Sequence, residues 1–534
     1  MKQTMKHQSL LSGIKSLGIM LSLGLVLASC TKDDVAQNPA KPNEEENKKL
    51  TTFVAGGENK TRTSMDYNSG NFYWEAGDYI YVKDDDGVLR KSTNAPTSKV
   101  ASFNYTVPGK FTAKTSYKVY YLGKNSSNNQ VVIPSAQSQL TPNNTEHFGV
   151  SGDYGTATAT KVTGKNQFEF QLEHQAAYLV FHPYVSNTLL QSCYLTKIEV
   201  SSDNDIASTY TLNASTGTLQ SVSTGAEADK KIILSTKGSG AYAIGFPLNT
   251  ASDNVVVNGA YMVIKPGTHT LKVRYWLKDV SKGIEGTVTK DFKAFNYDVN
   301  NYYDIDGNLN IRDYDGDHYY MWDAQEQYWK GHEWNHGGSQ PTLNNDLPNA
   351  TTSSDYPQNS ADPRYYNTSS PGDGRSKPAT HTSCKDLPNV NEMIWYAREG
   401  DPRWDADELW TTMGHLYKGG MWFKKKFVLQ AEGHYNNNTA DDGTDWRTNR
   451  DRNFRFGYVS QALPSAADAG KYFYLPALGI YNLGNLGNVG DVGYYWSSSA
   501  HPWGENAFYL YFNSAYVWVD NEKRFVGLRV FGFE

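Results

Sequence analysis

His332-Glu333-Trp334-Asn335-His336 has the H-E-x-x-H spacing of a zinc hydrolase. That chemistry needs a helix, because only positions i and i+4 on one helical face aim two imidazoles at a single Zn²⁺ with the glutamate beside the bound water. Gly331 precedes the motif, Gly337-Gly338 follow it, and Pro341 comes soon after. Glycine costs about 1 kcal/mol per helical position and proline about 3, so these neighbours oppose a helix. No other His, Asp or Glu stands at third-ligand spacing, and the segment reads as a loop with surface histidines. Asp313-Tyr314-Asp315-Gly316-Asp317 has part of a calcium-loop pattern, but Ala324 stands where an EF-hand needs its bidentate glutamate. It reads as an acidic turn between domains. His174, alone in the apolar run Leu172–Phe181, reads as a hydrogen-bonded core or edge histidine. Cys193 and Cys384 fall in different halves of the chain and read as free thiols serving as small buried hydrophobes. No catalytic residue, metal site or cofactor is assigned.

The chemistry that remains is recognition. In Tyr509-Leu510-Tyr511-Phe512-Asn513, period-two alternation puts Leu510 and Phe512 on one face and Tyr509, Tyr511 and Asn513 on the other. Tyr516-Val517-Trp518-Val519-Asp520 repeats the pattern, with Val517 and Val519 opposite Tyr516, Trp518 and Asp520. Ser514-Ala515 joins the two as a hairpin. If the aliphatic positions face the core, the other face presents Tyr and Trp rings beside Asn and Asp. Such rings give stiff, amphipathic contact area at low entropic cost. The loops at its edges add His501, Trp503, Glu505 and Asn506 on one side and Asn521 and Lys523 on the other. These twelve residues are the candidate ligand-binding set.

The rest of the chain must anchor and present that face. It has 534 residues, 50 Lys+Arg against 56 Asp+Glu, and a net charge of −6. At roughly 150 residues per domain there is room for three to four domains. No basic tract stands out, which excludes nucleic acid as a partner. Three cysteines exclude a disulfide-stapled scaffold. The mean hydropathy of −0.62 is polar, yet 38 Tyr and 13 Trp argue against disorder. Only Trp74 and Trp276 precede residue 311, so the aromatic excess belongs to the last third.

Lys2, Lys6 and Lys15 precede an uncharged run, Ser16–Ser29, too short to span a membrane and suited to a signal-peptide core. Its end, Leu27-Ala28-Ser29-Cys30, resembles the lipobox of bacterial lipoproteins. The resemblance implies a signal peptide over 1–29 and a diacylated Cys30 as the mature N-terminus. Thr31-Lys32-Asp33-Asp34 is similar to the acidic signal that exports some lipoproteins to the outer leaflet, which implies an outer-membrane lipid anchor at the cell surface. Residues 30–50, with Pro39, Pro42 and Glu44–Glu46, read as a solvated tether.

From Thr51 to about Asn310, short alternating runs such as Tyr79–Val82, Tyr117–Leu122 and Leu271–Leu277 are separated by turn clusters such as Asp84-Asp85-Asp86-Gly87. This pattern predicts two antiparallel sandwiches, over 51–165 and 166–310, with the seam before Phe168-Glu169-Phe170. Thr61-Arg62-Thr63, Phe72–Val82, Phe168–Phe181 and Tyr210–Leu219, in that order and spacing, resemble fimbrillin-like proteins. The resemblance covers about 51–310 and implies two transthyretin-like β-sandwich domains in a lipid-anchored precursor. It also implies other fimbrillin subunits as partners, through a β-strand donated to a groove that proteolysis vacates. Arg62 lies near that region, as a cleavage site or as a plain loop arginine.

Residues 311–534 resemble a different family. Cys384–Glu392, Trp395–Pro402, Gly420-Met421-Trp422, Tyr474–Ala477, Gly493-Tyr494-Tyr495-Trp496-Ser497-Ser498-Ser499 and Gly527–Val530 are similar to FISUMP-type domains, which implies an α+β C-type-lectin-like domain. The expected fold class is therefore mainly β, two sandwiches followed by that domain. The tail also resembles the variable regions of diversity-generating retroelement targets, in which a fixed lectin-like scaffold carries a rewritten surface. No Glu-Pro-Asn or Gln-Pro-Asp signature implies calcium-dependent sugar binding, and a lone Cys384 does not support formylglycine-generating chemistry. The reading is a non-enzymatic adhesin, a tip or accessory fimbrial subunit because the chain finishes inside a further domain. Its ligand would be a host or bacterial surface glycan or protein. The alternatives are a structural pilus subunit without its own ligand and the zinc metalloprotease.

Overall fold

The alternating runs fold as strands, and the chain is mainly β. The computed structural model describes residues 6–9, 50–56, 64–67, 71–126, 129–213, 218–222, 225–344, 347, 349–369, 377–449, 455–468 and 470–534. The lipobox Leu27–Cys30, the tether as far as Lys49 and Arg62 lie outside them. Among the described residues no helix is long and apolar enough to cross a membrane. The chain divides into two compact units. The first comprises Met1–Val185, Tyr194–Leu271 and Phe292–Asn308; the second comprises Ser186–Cys193, Lys272–Asp291 and Leu309–Glu534.

In the first unit, one sheet runs in the order Leu89–Lys91, Tyr81–Lys83, Ser116–Tyr121, Gly155–Lys161, Gln167–Phe170, Leu50–Ala55 and Phe103–Pro108. Period-two burial is explicit along Ser116–Tyr121, where Tyr117, Val119 and Tyr121 enter a core with Phe53, Trp74, Ile80 and Val107. The seam expected at 165 falls inside this sheet. Gln167–Phe170 pairs in parallel with Leu50–Ala55, and Phe168 stacks on Phe53 with ring centroids 5.1 Å apart. The hydrophobic restart at Phe168 is thus the return of the chain to its first core. A second sheet centres on Ala177–Tyr184, buried along nearly its whole length. It is flanked by Ala260–Ile264 (antiparallel) and Asn301–Asn308 (parallel). Lys6–Ser9 pairs antiparallel with the outer edge of Asn301–Asn308, Lys6 opposite Asp304.

In the second unit, Arg403–Thr412, His415–Lys424 and Tyr472–Pro476 form one antiparallel array. A second sheet runs Tyr319–Tyr320, Leu528–Arg529, Gly493–Ala500, Asn506–Phe512, Tyr516–Lys523, Arg455–Tyr458. The helix Val390–Glu399 begins at a capping box, with Asn389 and Glu392 each closing on the other's backbone N–H. Its Val390, Met393, Ile394 and Ala397, at helical spacing, enter a core shared with Trp404, Met421, Phe423, Tyr495, Leu510, Phe512 and Val517. Trp322, Trp329, Trp410 and Trp496 are at most 2% exposed, so much of the tryptophan excess is interior.

Long loops between these strands are fixed by a buried carboxylate. Asp323 accepts hydrogen bonds from Thr380 N (2.8 Å), Thr380 Oγ1 (3.0 Å), His381 N (2.7 Å) and Asn367 Nδ2 (2.8 Å). Arg524, equally buried, donates to the Asn367 and Ser369 carbonyls (3.1 and 3.0 Å) and lies 4.8 Å over the Trp322 ring. Removing the carboxylate strands four donors at once. Asp323→Ala is expected to destabilise this unit by about 3 kcal/mol or more, and Asp323→Asn, which keeps an acceptor, by less. Thermal unfolding followed by tryptophan fluorescence measures this; equal midpoints for wild type and Asp323→Ala would remove the loop-fixing role.

Candidate functional site

Asn506–Phe512 and Tyr516–Lys523 pair with Phe512 opposite Val517, Tyr511 opposite Trp518, Leu510 opposite Val519 and Tyr509 opposite Asp520. Leu510, Phe512, Val517 and Val519 are buried in the unit's core. Asn513 closes the turn. Its N–H donates to the Tyr516 carbonyl, its Oδ1 accepts from the N–H groups of Ala515 and Tyr516, all at 2.9 Å, and its Nδ2 donates to the Tyr511 hydroxyl at 3.0 Å. Asn513 therefore sets the turn and orients a ring.

On the opposite face, the Tyr511 and Trp518 rings stack with centroids 3.9 Å apart and planes 6° apart. Tyr494, from the Gly493–Ala500 strand, meets Tyr511 edge-on at 5.2 Å. Tyr516 lies 6.2 Å from Trp518 and is 56% exposed, and Tyr458, opposite Tyr516 on the outermost strand, is 95% exposed. The result is a graded aromatic ridge, half-buried at Tyr494 and fully open at Tyr458. Sequence reasoning missed Tyr494 and Tyr458, because only strand pairing brings them beside the hairpin. Period two within Gly493–Ala500 was the one signal available for Tyr494.

Two expected surface residues are not presented. Tyr509 is 6% exposed, packed among Trp496, Cys384, Ala507 and Leu528. Its strand is interior to the sheet, and a second apolar cluster covers that end of the face. His501 is likewise buried, with Nδ1 2.9 Å from the Trp503 carbonyl and its ring against Phe508. Trp503, Glu505 and Lys523 are exposed. Asn506, Asn521 and Lys523, expected in edge loops, lie instead on the two paired strands, and Asn506 Nδ2 donates across to Asn521 Oδ1 at 2.7 Å.

Asp520 sits between Tyr509 and that edge. Burial pushes its carboxyl up to about 6, the Glu522 charge adds to the effect, and the Asn521 N–H donated to Oδ1 at 2.7 Å opposes it. Burial also pushes the Tyr494 hydroxyl up to about 12, with Tyr511 contributing. The ridge carries no nucleophile paired with a base; its chemistry is stacking, edge contact and hydrogen bonding.

The other motifs fold as follows. Trp334–His336 is a single 3-10 turn, capped by left-handed Gly337 (φ 74°), so His332 and His336 do not share a helical face. Glu333 accepts from Gln327 Nε2 at 3.0 Å. Asp315, Asp317 and His318 cluster in an exposed turn, His318 Nδ1 lying 2.8 Å from Asp315 Oδ1. His174 is fully buried, with Nδ1 2.8 Å from Asp153 Oδ1, which also accepts from the Tyr178 hydroxyl. Cys193 and Cys384 are free and buried, and burial pushes both thiols up to about 12.

No family model and no curated protein matches the chain. Solved structures similar to it include a candidate cell adhesion protein from Bacteroides ovatus (12% identity, 48% of this chain and 91% of that one, TM-score 0.29). Another is a candidate cell adhesion protein from Bacteroides uniformis (20% identity, 46% and 88%, TM-score 0.28). A third is the fimbrial anchor protein Mfa2 from Porphyromonas gingivalis (13% identity, 45% and 82%, TM-score 0.20).

The Asp520 shift has a defined sign. A carboxyl raised from 3.8 to about 6 binds more protons folded than unfolded across that window, so stability falls as pH rises through it. Asp520→Asn is expected to flatten this fall and to stabilise the unit at pH above about 7 by on the order of 1–3 kcal/mol. Denaturation at a series of pH values checks it; a variant that tracks wild type would mean the carboxyl is not perturbed.

Proposed function

We propose that the chain is a fimbrillin-like surface lipoprotein and an adhesin, held to the outer membrane by a lipid on Cys30. In this reading 51–310 holds two transthyretin-like sandwiches, the first of them including 167–170, and 311–534 is a C-type-lectin-like domain that carries the ligand-binding face. The observation that carries the proposal is the Tyr511–Trp518 stack continued outward by Tyr516 and Tyr458. Together they form an ordered aromatic surface on a rigid sheet, open to solvent at its outer end. Exposed aromatics on a stiff surface are the residue type that dominates binding energy when a partner covers them. The surrounding Asn, Asp, Ser and Tyr residues also suit a surface diversified by a retroelement. A glycan or a protein on a host or bacterial surface is the ligand, and the place in a fimbria is the tip or an accessory position.

Strand exchange has support of its own. Lys6–Ser9 belongs to the leader that lipoprotein maturation removes, and it occupies the outer edge of Asn301–Asn308. Its departure leaves an unpaired strand edge, the feature that accepts a strand from another chain.

Binding of the purified mature chain to intact epithelial and bacterial cells is the test. Tyr511→Ala combined with Trp518→Ala is expected to weaken attachment at least tenfold (about 1.4 kcal/mol) while the chain still unfolds in one cooperative transition at a moderately lower midpoint. Undiminished attachment would move the site off this face. Cells expressing the full chain with both substitutions should still incorporate it into fibres and lose attachment; loss of the fibres themselves would favour the purely structural subunit.

A further inference from the structure

The Ser497-Ser498-Ser499 run is not used by the aromatic face. The Gly493–Ala500 strand gives Tyr494 to that face, and then its pairing with Asn506–Phe512 shifts register between Trp496 and Ala500. Such a bulge re-aims the side chains it contains. Within the shift, Ser498 and Ser499 line a recess of about 550 Å³, together with Asn389, Asp445, Arg447, Thr448 and Pro378. That volume lies in the ordinary range of small-molecule sites, roughly 300–1,000 Å³.

Every lining residue except Pro378 carries a polar side chain, and the charges balance. Its two ionised groups neutralise each other in a fork, Arg447 Nε to Asp445 Oδ1 at 2.8 Å and Nη2 to Oδ2 at 2.9 Å. The fork is held from behind by Asn391, a fully buried residue of the helix. Its Nδ2 donates to Asp445 Oδ1 at 3.0 Å, and its Oδ1 accepts from the Trp446 N–H at 2.9 Å. The hydroxyls are set as well. Thr448 Oγ1 donates to the Asp445 carbonyl (3.0 Å), which leaves its lone pairs to accept. Ser499 Oγ accepts from the Val390 N–H (3.1 Å), which leaves its proton to donate. Ser498 Oγ makes no hydrogen bond among the described residues.

A cation or an anion entering this recess would meet a like charge in the Arg447–Asp445 pair, and an apolar molecule would desolvate polar atoms without replacing their partners. A hydroxyl does neither. It donates to a remaining carboxylate lone pair and accepts from a remaining guanidinium N–H, leaving the fork closed. We infer that this recess, separate from the aromatic face, binds a neutral saccharide of one or two sugar residues without a metal ion.

Isothermal titration of the full mature chain tests this with the methyl glycosides of glucose, galactose, mannose and N-acetylglucosamine. At least one is expected to bind with a Kd on the order of 0.1–10 mM. Arg447→Gln and Thr448→Trp should each weaken it at least tenfold, whereas EDTA and the Tyr511→Ala, Trp518→Ala pair should leave it unchanged. Thr448 is exposed, so Thr448→Trp blocks the mouth without entering the core and serves if Arg447→Gln fails to fold. The inference is overturned if none of the four glycosides binds, if binding survives both recess substitutions, or if glucuronate is preferred. Loss of binding on adding EDTA or in the aromatic double variant would overturn it too, by assigning the sugar to a metal or to the ridge.

Discussion

Leu510, Phe512, Val517 and Val519 pin the C-terminal hairpin in one register, because a slip of one residue would turn all four out of the core and every ring into it. Those four aliphatic and aromatic side chains sit under the helix Val390–Glu399 and against Phe423 and Tyr495, so the core pays for the exposure of the rings on the far side. The Tyr511–Trp518 stack, the turn set by Asn513 and the placing of Asp520 beside Tyr509 all follow from the pairing of Phe512 with Val517.

A polar chain with so many aromatic residues has to hold long loops without a continuous apolar core beneath them. The second unit does this with buried polar nodes whose hydrogen bonds are largely met within the protein. Asp323 gathers the 367 and 380–381 segments, Arg524 the carbonyls of 367, 369 and 506, and Asn391 the 445–447 segment. A buried carboxylate or guanidinium is tolerable only when well partnered, so each node fixes its loops to one arrangement. The saccharide recess inherits its rigidity from the Asn391 node, just as the aromatic ridge inherits its own from the hairpin register.

The hairpin faces were legible from alternation because burial on one side imposes a period of two, and the structure keeps Leu510, Phe512, Val517 and Val519 inside. Alternation reports which residues share a face and is silent on how much of that face another segment covers. Tyr509 shares a face with Tyr511, yet it lies under the Trp322–Cys384–Leu528 cluster, whose members come from three distant stretches of chain. Asn513 looked like a ligand donor because its side chain is polar and aligned with the rings; its three turn bonds depend on the two-residue connection closing as it does.

By itself the sequence determined the strand-rich class, the two faces of the last hairpin, the opposition to a helix at His332–His336 and the concentration of tryptophan after residue 310. Each of these rests on local rules: side-chain alternation, backbone propensity and composition. Only the tertiary structure decided that Phe168 returns to the first core and that Tyr458 and Tyr494 complete the ridge. It alone placed Tyr509 and His501 inside, and brought Ser498 and Ser499 opposite an Arg447–Asp445 fork. Those outcomes depend on which strands become neighbours and where a sheet ends, and pairing between residues tens to hundreds of positions apart leaves no mark in any short window of sequence.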